Sequence, residues 1–286
     1  MAELPRLNGV IRALEQGQTA FVTFATADAA TAQAINAAPY DGVVFEMEHN
    51  IYDVKTLKDT LQYMLSRRQI LTGGTLSPAV TPIVRIPPNS GESNWIAKQV
   101  LDIGAYGIVW PHIDTVEDAH GAITAMRYPK PEGHPRREPF GLRGDAPFTA
   151  ATFWGVTPPE YYARADVWPL DPQGEILAVL MIESQRGIKN LPKILKEVPG
   201  IGVILTGEGD LCQDMGHPRQ YDHPDVVAAM KDILDICKAH KVPNGHPHVD
   251  AGNVEKLVAD GYGFLMPSPE RTFNALAKGR AAAGRK

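Results

Sequence analysis

Apolar residues fall along this chain in short, nearly unbroken runs. Four come early: AFVTFA (20–25), GVVFE (42–46), TPIVRI (81–86) and GIVWPH (107–112). Four more follow: LAVLMIE (177–183), GVILTG (202–207), VPNGHPH (242–248) and GFLMPS (263–268). Runs of this length and β-branched content suit parallel strands covered on both faces. The segments between them carry helical spacing. Residues 53–68 put Val54, Leu57, Leu61, Met64 and Leu65 on one face, and residues 92–105 group Trp95, Ile96, Val100 and Ile103 before stopping at Gly104. Eight strands joined by such helices predict an α/β fold, the (β/α)8 TIM barrel, for which about 250 residues are typical. The seventh run is the weakest strand, because Pro243 and Pro247 argue against a central position.

Two segments interrupt the repeat, residues 71–82 and residues 129–176. The second is too long for an ordinary connection and is rich in Pro, Gly, Arg and aromatics, which suits an active-site cover or an oligomer contact better than a separate domain. The expectation is one barrel domain over residues 1–286 with a long insertion at about 129–176. A chain of 286 residues, 44% apolar, can bury the core this requires. With 28 Lys+Arg against 33 Asp+Glu, a net charge of -5 and no basic stripe, nucleic acid is not an expected partner. No signal-peptide pattern opens the chain and no apolar stretch is long enough to span a bilayer, so a soluble cytoplasmic protein with no membrane partner is expected. Cys212 and Cys237 have neither the number nor the spacing of a disulfide framework or a zinc site and read as reduced thiols.

In a barrel of this type catalytic groups sit at the carboxyl ends of the strands. Those positions hold Glu46, Glu48 and His49 after the second run, Arg85 in the third and His112 after the fourth. Glu183 ends the fifth, Gly207-Glu208-Gly209-Asp210 follows the sixth, and His246 and His248 lie in the seventh. Glu183 and Asp210, on adjacent strands, suit a hard divalent cation such as Mg2+, Mn2+ or Co2+. Each could instead cap the following helix. Gly207 and Gly209 let backbone N–H groups approach a substrate, and a helix starting near Asp210 adds its dipole to hold a carboxylate. His49 beside Glu46 pairs a base with an orienting carboxylate. Arg85 either neutralises a carboxylate or faces an anionic substrate. His246 and His248 either contact substrate or are satisfied within a proline-constrained turn. No strand carries a lysine apart from Lys241 at the wrong end of the seventh, which disfavours a Schiff-base mechanism, and no nucleotide-binding loop or nucleophile elbow is present.

These residues resemble the HpcH/HpaI-type metal-dependent pyruvate aldolases, the 4-hydroxy-2-oxo-heptanedioate aldolase family within the aldolase/citrate lyase superfamily. VVFEMEH, VRIPPN and QVLDIGAYGIVWPHIDTVEDA are similar to its motifs, as are RYP followed by GLRG, MIESQRGIKNLPKIL and TGEGDLCQDMG. The resemblance implies a pyruvate-type barrel, a homo-oligomer (a hexamer with its last helix exchanged between neighbours), and a divalent metal on Glu183 and Asp210 that chelates pyruvate. It further implies Arg85 as the enolate-stabilising arginine, His49 as acid/base, Asp102 as a supporting acid near the histidine, and the backbone of Gly209 and Asp210 as the carboxylate cradle. Two positions depart: Glu46 stands where the family has aspartate, and Gly207-Glu208-Gly209-Asp210 where it has Gly-Pro-Ala-Asp. Both point to a branch with a different acceptor.

The expected activity is reversible cleavage of a 4-hydroxy-2-oxo acid to pyruvate, or a related 2-oxo acid, and an aldehyde. The alternatives are a CoA-thioester lyase or oxaloacetate decarboxylase acting through the same enolate, and a barrel that binds metal or oxo acid without turnover.

Overall fold

The computed structural model describes residues 5–88, 94–269 and 273–285. Eight parallel strands form the barrel: β1 (Ala20–Ala25), β2 (Gly42–Glu46), β3 (Thr81–Arg85), β4 (Gly107–Trp110), β5 (Ile176–Ile182), β6 (Val203–Thr206), β7 (Asn244–Val249) and β8 (Phe264–Pro267). Each pairs with its chain neighbours, β4 joins β5 across the long insertion, and β8 returns to β1, so the sheet is closed. The expected (β/α)8 barrel is the observed fold, and a closed barrel leaves no edge to protect.

Side chains alternate strictly along these strands. Val22, Val44, Ile83, Val109, Leu177, Val179, Met181, Val203 and Leu205 fill the interior. The intervening residues, among them Phe21, Phe45, Trp110, Leu180 and Ile182, pack outward against the helices. A helix not anticipated from the sequence, Gly9–Glu15, plugs the N-terminal end with Val10, Ile11 and Ala13. Its cap, Asn8, accepts from Val10 N and Ile11 N and donates to the carbonyls of Tyr106 and Glu175. The interior column therefore starts apolar at the bottom and can turn polar only at the C-terminal mouth.

The seventh run does form a strand, with both prolines at tolerated places. Pro243 precedes it, and Pro247 falls inside a register shift between His246 and Val249 where no regular ladder bond is lost. The helix expected over 53–68 is two helices, Val54–Tyr63 and Arg67–Gly73, divided where Ser66 caps the second. Leu57, Leu61 and Met64 are buried as the spacing requires, whereas Leu65 is exposed beyond the break. Trp95, expected on a buried face, is 53% exposed on the helix Asn94–Asp102 and meets Tyr52 edge-on. Asn89, Glu92 and Ser93 of the expected motifs lie outside the described residues.

The 129–176 insertion carries the helices Phe148–Trp154 and Pro158–Arg164 and a two-residue strand, Val167–Trp168, on the outer edge of β5. It follows the helix Val116–Met126, so it sits at the N-terminal end of the barrel, opposite the mouth. It is therefore not a cover over the mouth of its own chain. Trp154 stacks on Tyr106 at 4.3 Å and donates to Gly104 O. Arg127 is wholly buried, with Nε 2.6 Å and Nη2 3.0 Å from the Asp166 carboxylate. Arg143 donates to Asp102 and Tyr161, each at 2.9 Å, and lies over the Tyr128 ring. The arginines of RYP and GLRG thus knit this segment together. The last helix, Asn274–Ala282, lies against the barrel, where Gly279 abuts Phe21 and Val254. Among the described residues no helix is long and apolar enough to cross a membrane, and both cysteines are free and buried.

Glu175, fully buried, fastens the plug to the insertion by accepting from Leu7 N (3.0 Å), Asn8 N (2.8 Å) and Arg164 (2.8 Å). Removing one member of a buried, hydrogen-bonded ion pair costs about 3–5 kcal/mol. Glu175→Ala should lower the unfolding free energy measured in urea by about 3–5 kcal/mol, moving the midpoint down with the slope of the transition unchanged.

Candidate active site

The period-two register explains why charges appear abruptly at the mouth. Glu46 continues the inward column of Gly42 and Val44, and Arg85 that of Thr81 and Ile83, and the two are registered partners across β2 and β3. Glu183 follows Leu177, Val179 and Met181, and Gly207 follows Val203 and Leu205. His49, Arg85, Glu183, Gly207, Gly209 and Asp210 all line one cleft of about 570 Å3. Six of the eight residues singled out from the sequence are brought together there. Glu46 lies beneath, against Arg85.

Asp102 does not join them. It ends the helix that descends from the mouth, and Arg143 holds it at the bottom of the barrel. The expectation of a supporting acid near His49 is thereby corrected for this chain. Glu46 also has a different task from the one expected. Its Oε1 accepts from the backbone N–H of Glu48 (2.7 Å) and His49 (3.2 Å), and its Oε2 accepts from Arg85 Nε (2.6 Å) and contacts Nη2. Glu46 therefore shapes the turn carrying His49 and fixes the guanidinium, without touching the imidazole.

Glu48 is the carboxylate facing the histidines. Its side chain is 4% exposed, with Oε2 3.6 Å from His49 Nε2 and Oε1 3.5 Å from His112 Nε2. Arg85 Nη1 lies 3.1 Å from Oε2 but aims no hydrogen bond at it, leaving that oxygen buried and unsatisfied. Burial pushes the Glu48 carboxyl upward, against the pull of Arg85 and the two histidines. His112, not given a role from the sequence, has φ 54 and directs its backbone N–H to Glu183 Oε2 at 2.7 Å. Its unusual backbone conformation is a signal no strand pattern carries.

Glu183 is the most constrained group. Desolvation is the chief cause of its rise from 4.5 to about 7, opposed by His112 and reinforced by Glu48 and Asp210. A Cβ on Gly207 would overlap its carboxylate, so only glycine fits at that position. Gly207 also caps the helix Glu208–Asp214, whose first-turn N–H groups have no intrahelical acceptor. On the far wall, buried Glu208 meets His248 Nδ1 at 2.5 Å, and the His248 ring tilts against Tyr221. His246 is turned away onto Tyr262, and burial lowers its pKa. Five carboxylates (Glu46, Glu48, Glu183, Glu208 and Asp210) thus face Arg85 and Arg219. Excess negative charge, a carboxyl raised by desolvation and an orphaned buried oxygen fit a hard divalent cation.

A closed parallel barrel with acids, a base and helix-end amides gathered at its carboxyl mouth has the layout of a barrel enzyme. The chain belongs to the HpcH/HpaI aldolase/citrate lyase family, whose pattern matches residues 20–266. It is 32% identical over 221 residues to a 5-keto-4-deoxy-D-glucarate aldolase of Salmonella arizonae, covering 77% of this chain and 74% of the other. It is 32% identical to a pyruvate aldolase of Rhizobium etli, covering 82% and 79%. Among solved structures, an HpcH/HpaI aldolase/citrate lyase family protein from Burkholderia cenocepacia superposes with a TM-score of 0.76 at 26% identity, covering 96% of this chain and 97% of that one.

Two outcomes test the site. Gly207→Ala should displace Glu183 and weaken divalent-cation binding by about tenfold or more, measured by calorimetry, with the circular dichroism spectrum retained. The second concerns pH. A carboxyl whose folded pKa is raised favours the fold when protonated, so its contribution is full below about 4.5 and is lost as pH rises through about 7. In chelator, the melting temperature of Glu183→Gln relative to the parent should therefore rise between pH 5 and pH 7.

Proposed function

We propose that the protein is a metal-dependent pyruvate aldolase that reversibly cleaves a 4-hydroxy-2-oxo acid to pyruvate, or a related 2-oxo acid, and an aldehyde. The observation that carries this reading is the convergence of Glu183 and Asp210, the open amides of Gly209 and Asp210, and Arg85 on one cleft. Glu183 and Asp210 would hold a divalent cation (Mg2+, Mn2+ or Co2+), which supplies Lewis acidity toward the 2-oxo group when bound. The residues of the chain do the rest. The amides at the start of the helix Glu208–Asp214 receive the substrate carboxylate. Arg85 is held at Nε and Nη2 by Glu46, its Nη1 lies between Glu48 Oε2 (3.1 Å) and Met181 Sδ (3.9 Å) at the edge of the cleft, and that nitrogen would turn to the oxygen that becomes the enolate.

His49, 63% exposed at the rim with Glu48 behind it, takes the proton of the 4-hydroxyl. The C3–C4 electron pair then passes into the enolate, the aldehyde departs, and C3 accepts a proton to give pyruvate. Arg219, Tyr221 and His248 line the other side of the cleft and would meet the aldehyde portion. Arg219 donates to Tyr221 and pairs with no carboxylate among the described residues, and Glu208 fixes the His248 ring, which leaves Nε2 without a protein hydrogen bond there. A cytoplasmic homo-oligomer, a hexamer by the family resemblance, is part of this reading. The exposed apolar side chains Ile51, Leu71, Trp95 and Phe148 support it.

The half-reaction separates the roles. Metal-reconstituted protein should exchange the methyl protons of pyruvate in D2O. Arg85→Gln should lower both exchange and cleavage by about 100-fold or more. His248→Asn should leave exchange intact while raising the KM of the cleaved acid. Parent protein that neither exchanges pyruvate protons nor consumes any 4-hydroxy-2-oxo acid would refute the reading.

A further inference from the structure

Between the helix Glu208–Asp214 and the helix Pro224–His240 the chain makes a compact loop that delivers Arg219 and Tyr221 to the cleft. His217 and His223 stand at its two ends and come back together, their rings stacked 3.5 Å apart and 17° from parallel. Asp225 Oδ2 lies 3.6 Å from His217 Nε2 and 3.7 Å from His223 Nδ1. One potential donor atom from each residue falls within 4.8 Å of the other two.

We propose that His217, His223 and Asp225 bind one divalent transition cation of the zinc class, at a site separate from the cleft, and that this cation staples the loop carrying Arg219 and Tyr221. Zinc bound tetrahedrally at about 2.0–2.1 Å holds its ligand atoms about 3.3–3.4 Å apart. The two edges to Asp225 need to contract by about 0.3 Å, and the two imidazole nitrogens, within 4.8 Å of each other, reach the same spacing when the rings rotate out of their stack to aim both lone pairs at the ion. His223 Nδ1 now accepts from Asp225 N at 3.3 Å, a long bond that a metal replaces at small cost. Two imidazoles with one carboxylate favour zinc, nickel or copper over magnesium, whereas the all-carboxylate pair of the cleft favours a hard cation. The partial exposure of both histidines and of Asp225 leaves room for water to complete the coordination. A cross-link between residues 217 and 225 fixes the intervening backbone in the position that presents Arg219.

The test uses the full chain, freed of metal by chelator and then saturated with Mg2+. Zinc is titrated by calorimetry, and Co2+ is used as an absorbance probe. The parent should bind one more equivalent of Zn2+ than His217→Ala or the milder His217→Gln. Glu183→Gln should retain that equivalent, which separates it from the cleft. Equal stoichiometry in the parent and both His217 variants overturns the site. Trypsin cleavage after Arg219 reads the staple: at Zn2+ about 100 times its Kd, cleavage of the parent should slow on the order of 10- to 100-fold, and that of His217→Gln should not. Cleavage unaffected by Zn2+ in the parent overturns the stapling role. Because no readout depends on aldol chemistry, failure here is distinguishable from failure of the proposed activity.

Discussion

A carboxylate almost cut off from water governs this mouth. Glu183 continues an otherwise apolar interior column, so its charge must be compensated locally or given up. Its neighbours follow from that requirement. Gly207 lacks a side chain because the carboxylate occupies the space, and His112 takes a left-handed backbone to offer its N–H. An arginine of the same cleft, Arg85, is already committed to Glu46 through two of its nitrogens. The compensation remains incomplete, which is the deficit that the proposed cation would fill.

The two ends of the barrel treat charge in opposite ways. At the N-terminal end each buried or half-buried acid of these pairs has a matched base: Asp166 with Arg127, Asp171 with Arg136, Asp102 with Arg143, Glu175 with Arg164 and Asp41 with Arg285. Paired in this way, such groups fasten the plug, the insertion and the last helix, and have little capacity for further chemistry. At the mouth acids outnumber bases, and the group left buried without a hydrogen bond is an oxygen of Glu48, whereas in the insertion such groups are arginine nitrogens and the Tyr128 hydroxyl. Perturbed groups of this kind concentrate where function does, because an unsatisfied group gains from an incoming ligand.

The sequence made the barrel legible because eight apolar runs, each bounded by helical spacing, have few other ways to close. It also made most of the mouth legible, since strand ends can be named before their geometry is known. It misled where a side chain's partner lies far away in the chain. The family resemblance makes Asp102 a supporting acid near His49, until Arg143, 41 residues later, is seen to hold it. Glu46 reads as the orienter of His49 by proximity, yet strand register gives it to Arg85 and leaves Glu48 to face the imidazoles. The insertion suggested an active-site cover or an oligomer contact, and the first fails for its own chain because a segment that follows a helix of this fold emerges at the bottom. Pro247 argued against a strand because no one-dimensional pattern marks the register shift that accommodates it.

The cleft is divided between two kinds of support, and the division has a consequence for specificity. Glu46, Arg85 and Glu183 are mounted at or just beyond strand ends, where the closed sheet fixes both position and direction. Arg219 and Tyr221 stand on a loop between two helices, and His248 follows a register shift in β7. Side chains on such segments can change without disturbing the barrel core, whereas a change at Glu183 or Gly207 alters the other at once. Under the proposed activity, a fold arranged in this way keeps one treatment of a 2-oxo acid while the opposite wall adapts to different partners for it. Glu208 is the exception that joins the halves: it occupies the first turn of the helix that presents Asp210, and its carboxylate holds the ring of His248. Its replacement would be felt on both sides, so the departure at this position is better understood as coupling the two walls than as an isolated change of surface charge.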